Sequence, residues 1–370
     1  MRPSPLYLTA PPSIRRLHVE PGRRIIAISD IHGNLEYLRG LLEKCALTKQ
    51  DVLILVGDLL EKGPDSLGTL RYVMDLSQQY QVHTVCGNCD FWQNFCDYPD
   101  DPEQDAFYRQ YLVGRNRGWG DGVIAQMLRE LGFEIAPDMD LKAAKAAVRD
   151  NFVPELDFLR GLPHILETED YTFVHGGLAP GKGAFAYMKR DAYRTVAKPH
   201  EKWTVVGHWP LVLYHEDITD ARPIIDEDLR LISIDGGCVL KDDGQLNAFF
   251  LPDMTWTSYD GFPTARVKTA QKASARHYYI RHGDNAVEIL ADGPEFCRCR
   301  HIRTGYEMDV LTEFILSRDE NTAAVNDCTD YLLPLEAGDE ISVVRKTSRG
   351  YMCKKDGISG WYLGELMEEE

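Results

Sequence analysis

The segment that most constrains this chain is its residues 25–34, IIAISDIHGN. The apolar run at its start predicts a buried parallel strand, and the leucine spacing after it predicts a helix. Asp30 and His32 therefore follow a strand end, where open α/β sheets hold their binding sites. A carboxylate and an imidazole separated by one residue can face one metal ion. Such a pair also arises by chance, so its meaning depends on the rest of the chain.

The same arrangement returns twice. A second apolar segment, residues 51–57, ends at Asp58, and a third, residues 82–86, is followed by Asn88. Helical patterns separate these strands, and the polar residues are roughly 30 positions apart, as in successive βαβ units. Because such crossovers keep the strands parallel, the three polar side chains are expected on one edge of a sheet.

Further strands with polar ends follow. Three are predicted at residues 171–174, 203–206 and 231–234, and the residues after them are His175, His208 and Asp235. Residues 246–251 are expected to pair antiparallel with the last of these strands. Strands alternating with helices in this way predict an α/β fold.

Six of these side chains form a candidate metal site: Asp30, His32, Asp58, Asn88, His175 and His208. A carboxylate that bridges, with nitrogen and oxygen ligands on both sides, suits two divalent cations about 3.5–4 Å apart. Such ligands are compatible with Mn, Fe or Zn and do not choose between them. Two cations of this kind activate a water and bind phosphoryl oxygens, so the predicted reaction is hydrolysis of a phosphate ester.

Composition narrows the class of protein. The chain has 370 residues, 44% of them hydrophobic, enough for a full core in about two domains. Its net charge of −17 argues against a long nucleic acid partner, whose phosphates it would repel. No signal peptide or membrane span is visible in the N-terminal sequence. Nine cysteines, an odd number, fit a reduced cytoplasmic protein better than a disulfide framework.

Changes of pattern predict the domain boundaries. Residues 1–22 are rich in proline and are expected to form a loose N-terminal arm. A catalytic domain is predicted at 23–252, with a helical insertion at 91–162 that would cap the site. Residues 253–275 are polar and rich in turns, and are predicted as a linker. The remainder, 276–370, is expected to be a smaller, mostly-β domain.

Six motifs, taken in order, resemble those of a known family. They are SDIHG, GDLLEKGPDS, GNCD, HGGLAP, GHWP and IDGG. Together they resemble the calcineurin-like metallophosphoesterases, in particular the phosphoprotein phosphatase branch shared by bacterial protein phosphatases and diadenosine tetraphosphatases. The resemblance covers about residues 24–251 and implies a sandwich of two β-sheets flanked by helices.

The resemblance also implies how the ligands divide between two metals. The first metal would be held by Asp30, His32 and Asp58. The second would be held by Asp58, Asn88, His175 and His208.

Three positions depart from the family pattern. Lys62 replaces the arginine of the second motif, so a point charge stands where a bidentate phosphate clamp is usual. Cys89 replaces the histidine that protonates the leaving group, and Glu61 replaces its paired aspartate. Arg190 is a candidate for a second phosphate clamp. The resemblance thus implies Cys89, Glu61 and Asp58 as catalytic residues, and Lys62, Arg190 and Asn88 as phosphate-binding residues.

Three functions remain open on these grounds. The favoured one is a serine/threonine phosphoprotein phosphatase that uses a metal-bridging hydroxide. Hydrolysis of a phosphodiester or a dinucleoside polyphosphate is the alternative, which Cys89 favours because GNCD also resembles small phosphodiesterases. A weakened metal-binding scaffold is the third, and the presence of every predicted ligand argues against it.

The C-terminal segment carries a second resemblance. Gly-Asp, Gly-Tyr and Gly-Trp-Tyr punctuate short predicted strands in residues 330–367. This spacing resembles a bacterial Src-homology-type barrel. The resemblance implies binding of a protein partner or self-association, and a purely structural C-terminal segment is the alternative.

Overall fold

Two β-sheets form the centre of the N-terminal two thirds of the chain in the computed structural model, which describes residues 9–98, 101–114 and 120–367. The strands up to residue 259 are β1 (Ile14–Arg16), β2 (Ile25–Ile28), β3 (Val52–Leu55), β4 (Gln81–Thr84), β5 (Ile165–Glu167), β6 (Tyr171–Val174), β7 (Trp203–Val206), β8 (Thr219–Asp220), β9 (Ile224–Asp226), β10 (Leu231–Ser233), β11 (Leu246–Leu251) and β12 (Thr255–Tyr259). One sheet has the order β12-β11-β2-β3-β4 and the other β1-β5-β6-β7-β10-β9.

Helices connect and cover these strands. They are α1 (Leu35–Lys44), α2 (Ser66–Gln79), α3 (Asn94–Asp97), α4 (Pro102–Gly114), α5 (Val123–Glu130), α6 (Leu141–Asn151), α7 (Val153–Arg160) and α8 (Phe185–Met188). Helices α3 to α7 lie in the segment predicted as a helical insertion. None of the helices in the described ranges has the length and hydrophobicity needed to cross a bilayer.

The core lies between the two sheets and under the helices. Ile54 and Val56 of one sheet pack in one cluster with Phe173, Val205 and Ile232 of the other. On the opposite face of the first sheet, a larger apolar cluster joins its strands to the helices. Each fully buried aliphatic side chain of this kind contributes about 1.5–3 kcal/mol. The predicted α/β sandwich with helices outside is confirmed.

The strand order places the predicted ligands. Strands β2, β3 and β4 are parallel neighbours, so the residues after them lie on one edge of the first sheet. In the second sheet β6, β7 and β10 are parallel neighbours in the same way. The predicted side-by-side placement of Asp30, Asp58 and Asn88 follows from the first of these arrangements.

The N-terminal segment differs from the predicted loose arm. Its residues 1–8 lie outside the described part of the chain, but β1 pairs in parallel with β5 at the edge of the second sheet. Ser13 fastens this strand, because its backbone N–H and its hydroxyl both contact Nδ1 of His164, at 3.1 and 2.7 Å. The prolines before β1 hid a strand of only three residues.

Residues 253–275 also differ from the predicted linker. They contain β12, which pairs with β11 at an edge of the first sheet, and a strand of the C-terminal sheet at Thr264–Arg266. Tyr259 packs edge to face against Tyr37 of α1, with ring centroids 5.6 Å apart. An edge strand needs only one apolar face, so its polar composition resembled that of a linker.

Strand β11 has other partners than expected. It lies antiparallel to β2 and β12, rather than to the strand at residues 231–234. Strand β10 is already flanked by β7 and β9, so neither of its edges is open.

The chain divides into two units, and the second is assembled from three segments. The first unit holds the sandwich, and the second comprises residues 211–222, 241–243 and the chain from 262 onward. The further strands of this unit are β13 (Thr264–Arg266), β14 (Tyr279–Ile280), β15 (Ala286–Ala291), β16 (Phe296–His301), β17 (Glu307–Leu311), β18 (Ile315–Asp319), β19 (Thr322–Val325), β20 (Cys328–Thr329), β21 (Glu340–Thr347), β22 (Gly350–Lys355) and β23 (Ile358–Tyr362).

The second unit is mostly β, as predicted. Its two larger sheets have the orders β17-β16-β15-β19-β18 and β13-β21-β22-β23-β8. Residues 330–367, for which a small barrel was predicted, supply β21, β22 and β23 of the latter sheet. That sheet also takes β8 and β13 from earlier in the chain, which the sequence pattern did not indicate.

Candidate metal centre

Two clusters of metal-ligating side chains share one residue. His32, Asp58 and Cys89 form the first, and Asp58, His175 and His208 form the second. Within each cluster the ligand atoms all lie within 4.8 Å of one another. Asp58 is common to both, which is the position that the family resemblance gives to the bridging ligand.

Distances within the site centre on Asp58. Its carboxylate lies 3.3 Å from Nε2 of His175 and 3.8 Å from Nε2 of His32. Asp30 lies 3.8 Å from His32 Nε2 and 3.9 Å from His175 Nε2. All four side chains are buried. The structure therefore brings ligands of both sheets to one point.

Hydrogen bonds fix which histidine nitrogens face the site. Nδ1 of His175 lies 2.8 Å from the carbonyl oxygen of Val56, which can only accept, so Nε2 is left as the ligand atom. His208 is held the opposite way, since its Nε2 lies 2.9 Å from a carboxylate oxygen of Asp191. That contact leaves Nδ1 of His208 for a metal. Partners of this kind orient metal-binding histidines.

Oxygen atoms in the site fit bound cations. Asp30 accepts a hydrogen bond from the backbone N–H of His208 at 2.9 Å through Oδ2. Its other oxygen, and Oδ1 of Asn88, are buried and have no hydrogen-bond partner among the described residues. A buried oxygen without a partner costs about 1–3 kcal/mol, and more when charged. The donor set of carboxylate, amide and imidazole groups thus suits two divalent cations.

The backbone at the strand ends is strained. Asp30, His32, Asp58 and His208 have φ of 57°, 52°, 52° and 69°. Residues other than glycine seldom adopt this region, and such strain clusters at functional sites. Gly87 is required next to them, because a Cβ there would lie 2.2 Å from the backbone nitrogen of Asp58. The turns that aim the ligands are therefore built at a conformational cost.

Neighbouring positive groups keep the Asp58 carboxylate ionised. Burial opposes ionisation, but His175, then His32 and Lys62, hold the pKa of Asp58 well below its ordinary value. Burial, then the charge of Lys62, lowers the pKa of His32 to about 3, so this ring is neutral and able to bind a metal. For His175 burial is outweighed by Asp58 and Asp30, which raise its pKa to about 10. A cation at Nε2 would take the place of that proton.

The residues predicted for catalysis and for phosphate binding differ in how directly they contact the two clusters. The backbone N–H of Cys89 donates to Asp58 at 2.8 Å, and Nζ of Lys62 lies 3.5 Å from Nε2 of His32. Glu61 is buried and accepts a hydrogen bond from the backbone N–H of Val123, at the start of α5, at 2.9 Å.

Arg190 follows helix α8 and comes directly before a residue that contacts the site. Its guanidinium donates to the carbonyl of Leu178 at 2.9 Å and lies over the ring of Tyr193. The next residue is Asp191, which contacts His208. The structure thus gives the Arg190 side chain two local contacts, and its role as a phosphate clamp stays a prediction.

Two carboxylates with structural roles were missed by the sequence analysis. Asp90 accepts hydrogen bonds from the backbone N–H groups of Leu59, Leu60 and Gly87, at 2.9, 3.2 and 2.9 Å. It joins the loops after β3 and β4, and its place in GNCD was a usable signal. Asp191 had no such signal, because only the folded chain brings it to His208.

The sandwich and the Asp58-centred site define a metallophosphoesterase. A model of the family described as calcineurin-like phosphoesterase matches residues 23–232. The chain belongs to this family.

Individual relatives match over shorter stretches. The symmetrical bis(5'-nucleosyl)-tetraphosphatase of Cellvibrio japonicus is 35% identical over 36% of this chain and 52% of its own length. Serine/threonine-protein phosphatase 1 of Salmonella typhimurium is 38% identical over 20% of this chain and 32% of its own length. The chain thus spans about half the length of the first relative and about a third of the length of the second.

One solved structure also matches part of the chain. The protein serine/threonine phosphatase from Saccharomyces cerevisiae is 13% identical, with a TM-score of 0.40, over 68% of this chain and 85% of that chain.

Proposed function

We propose that this chain is a two-metal phosphatase that acts on serine/threonine phosphoproteins. The observation that carries the proposal is the position of Asp58, which is shared by two ligand clusters whose members are all buried except the half-buried His208. When bound, two divalent cations would supply Lewis acidity to an attacking water and to the phosphoryl oxygens. Asp30 and His32 would complete one site, and Asn88 with the other two histidines the second.

Positive charge and an amide group are available for the phosphoryl group. Lys62 lies beside His32 and is half-buried, so its ammonium group is partly shielded from water and attracts a phosphate more strongly than an exposed lysine would. Asn88 would contribute its amide as well as its carbonyl oxygen. Arg190 would add a second clamp on release from the carbonyl of Leu178. Lysine binds phosphate as a point charge, so orientation would depend more on the metals.

The Cys89 thiol and the Glu61 carboxyl group are the candidate proton donors to a leaving alkoxide. Burial, then the Asp58 carboxylate, raises the pKa of the Cys89 thiol well above its ordinary value. Burial, together with the Asp90 carboxylate, raises the pKa of Glu61 to about 8, although the Val123 hydrogen bond acts in the other direction. Both groups are therefore protonated at pH 7 and are the proposed proton sources.

A second candidate function is hydrolysis of a dinucleoside polyphosphate. The name of the Cellvibrio relative supports it. Cys89 supports it as well, since a phosphate leaving group needs less help from an acid than an alkoxide does. The Salmonella relative is named as a protein phosphatase and supports the first function.

We further propose that the second unit binds a protein partner or a second copy of the chain, in a reducing compartment such as the cytoplasm. All nine cysteines are unpaired and buried, which suits a reducing environment. An open pocket of about 190 Å³ on the second unit is lined by Phe296, Trp361 and Arg349, among others. Aromatic and arginine side chains are enriched in protein interfaces.

The deciding experiment compares substrates on the full chain. Rates would be measured on a phosphothreonine peptide, a generic phosphodiester and diadenosine tetraphosphate, with Mn²⁺ and after chelation. Metal-dependent preference for the peptide would support the proposal, and preference for the dinucleotide would replace it with the second function. Asp58→Asn should abolish turnover and loosen both metals, while Asp75→Asn on the exposed face of α2 should change neither. Substantial turnover in Asp58→Asn would contradict the shared-ligand assignment.

A further inference from the structure

The side chain of Cys89 lies among predicted metal ligands, a position that a proton donor does not need. Its sulfur lies with a ring nitrogen of His32 and a carboxylate oxygen of Asp58 in one group of atoms, all within 4.8 Å. Ligand atoms around one tetrahedral zinc ion are roughly 3.3–3.8 Å apart. Small side-chain adjustments would therefore let the three groups surround a single ion.

We propose that Cys89 is a thiolate ligand of the metal held by His32 and Asp58. The inference rests on the proposed two-metal function and adds a ligand to it. As the sulfur–metal bond forms, the thiol proton passes to solvent, since a coordinating thiol is deprotonated.

The surroundings of the sulfur support this assignment. Nδ2 of Asn88 donates to Sγ of Cys89 at 3.3 Å, so the sulfur acts as an acceptor. The same contact turns Oδ1 of Asn88 away from the sulfur, and that atom has no partner among the described residues. Cys89 thus helps to aim another predicted ligand.

The backbone holds Cys89 in place on the other side. Its N–H donates to Asp58 at 2.8 Å, so the residue is tied to the bridging carboxylate through a rigid contact. The ammonium group of Lys62, 3.5 Å from His32 Nε2, supplies positive charge beside the proposed thiolate. Only 8% of the residue is exposed, so few solvent molecules compete for the sulfur.

Two consequences follow for the site. A bound thiolate cannot also donate a proton, so Glu61 becomes the remaining proton source. Soft sulfur ligands favour Zn²⁺ or Fe²⁺ over Mn²⁺ and Mg²⁺. Cys89 would then set metal preference.

Cobalt provides a direct test on the full chain. A thiolate bound to Co²⁺ gives a charge-transfer band in the near ultraviolet, which carboxylate and imidazole ligands do not. Of the nine cysteines, Cys89 alone belongs to a ligand cluster within the described residues, so a band would report on it. We expect the band in the wild type and in Cys86→Ser, a buried cysteine three residues away, and its loss in Cys89→Ser.

Competition between Zn²⁺ and Mn²⁺ for the site gives a second measurement, which does not rely on the cobalt spectrum. The ratio of Zn²⁺ to Mn²⁺ affinity should fall at least roughly tenfold in Cys89→Ser and stay unchanged in Cys86→Ser. Two bound cobalt ions without the thiolate band in the wild type would overturn the ligand assignment and leave the two-metal function standing. Failure of the wild type to bind cobalt at all would overturn both.

Discussion

Glu61 is a buried carboxyl group that this fold keeps protonated. Its pKa is raised to about 8 from an ordinary 4.5, chiefly by burial. If its proton serves the leaving group, the metal-dependent rate should fall as the pH rises above about 8. Glu61→Gln should lower kcat by roughly 10²–10⁴ on a phosphomonoester and remove this alkaline limb. Steady-state rates between pH 6 and 10 would show it.

Glu61 should also make the free energy of unfolding depend on pH. The folded state binds the proton more tightly than the unfolded state, so stability is full below pH 4.5 and declines as the pH rises toward 8. Urea unfolding at pH 5 and pH 8 should show a smaller decline of the unfolding free energy in Glu61→Gln than in the wild type.

Glu155, a buried glutamate on α7, provides the control for the rate measurement. Glu155→Gln should keep the fall of the rate at alkaline pH. An unchanged limb in Glu61→Gln would exclude Glu61 as the proton source.

Much of the site could be predicted residue by residue, because its ligands follow strands in the sequence. Asp30, Asp58 and His175 each occupy the first turn after an apolar run. The ligand nitrogen of each histidine could not be predicted, since it depends on acceptors such as Asp191 that only folding brings near. The sulfur of Cys89 beside His32 was hidden for the same reason.

Strand β1 depends on a neutral histidine. Nδ1 of His164 accepts from the N–H of Ser13 at 3.1 Å, and burial lowers the pKa of His164 to about 4. Below pH 6.5 the unfolded chain takes up a proton that the folded chain resists, so stability declines as the pH falls from 6.5 toward 4. Protonation would also remove the acceptor for Ser13. We expect β1 to loosen at acidic pH.

Hydrogen exchange would measure this loosening. Protection factors for the amides of β1, corrected for intrinsic rates, should fall roughly tenfold between pH 7 and pH 5 in the wild type. His164→Gln should remove the pH dependence, while replacement of the exposed His282 by Gln should leave it intact. Equal protection at both pH values in the wild type would show that His164 does not hold the strand.

Elements with strong periodicity were predictable, and edge strands were not. The buried strands β2 and β3 are apolar on both faces and stand out in the sequence. Strands β1 and β12 lie at sheet edges, where one face or neither is buried, so their composition matches that of a loop. Pairing of β11 with β2 depends on which edges remain open, which no local pattern records.

The second unit is not built from the C-terminal part of the chain alone. Strand β8, which follows the GHWP motif in sequence, pairs with β23 near the C-terminus. Val212 and Ala221 of the same segment pack with Tyr279 in one buried cluster. The sequence predicted one boundary near residue 252, because composition changes there. It could not show that residues 211–222 belong to the later unit.

Removal of residues 262–370 should therefore damage more than the second unit. The segment 211–222 would lose β23 and Tyr279, and Val212, at present 2% exposed, would face water. We expect the truncated chain to bind a hydrophobic dye, to give less soluble protein and to lose phosphatase activity, because this segment begins three residues after His208. A second truncated variant, with 211–222 replaced by a glycine/serine linker, should recover solubility, since the exposed apolar side chains are gone. Full solubility and activity of the simple truncation would show that the first unit needs nothing from the second, and that residues 211–222 tolerate exposure.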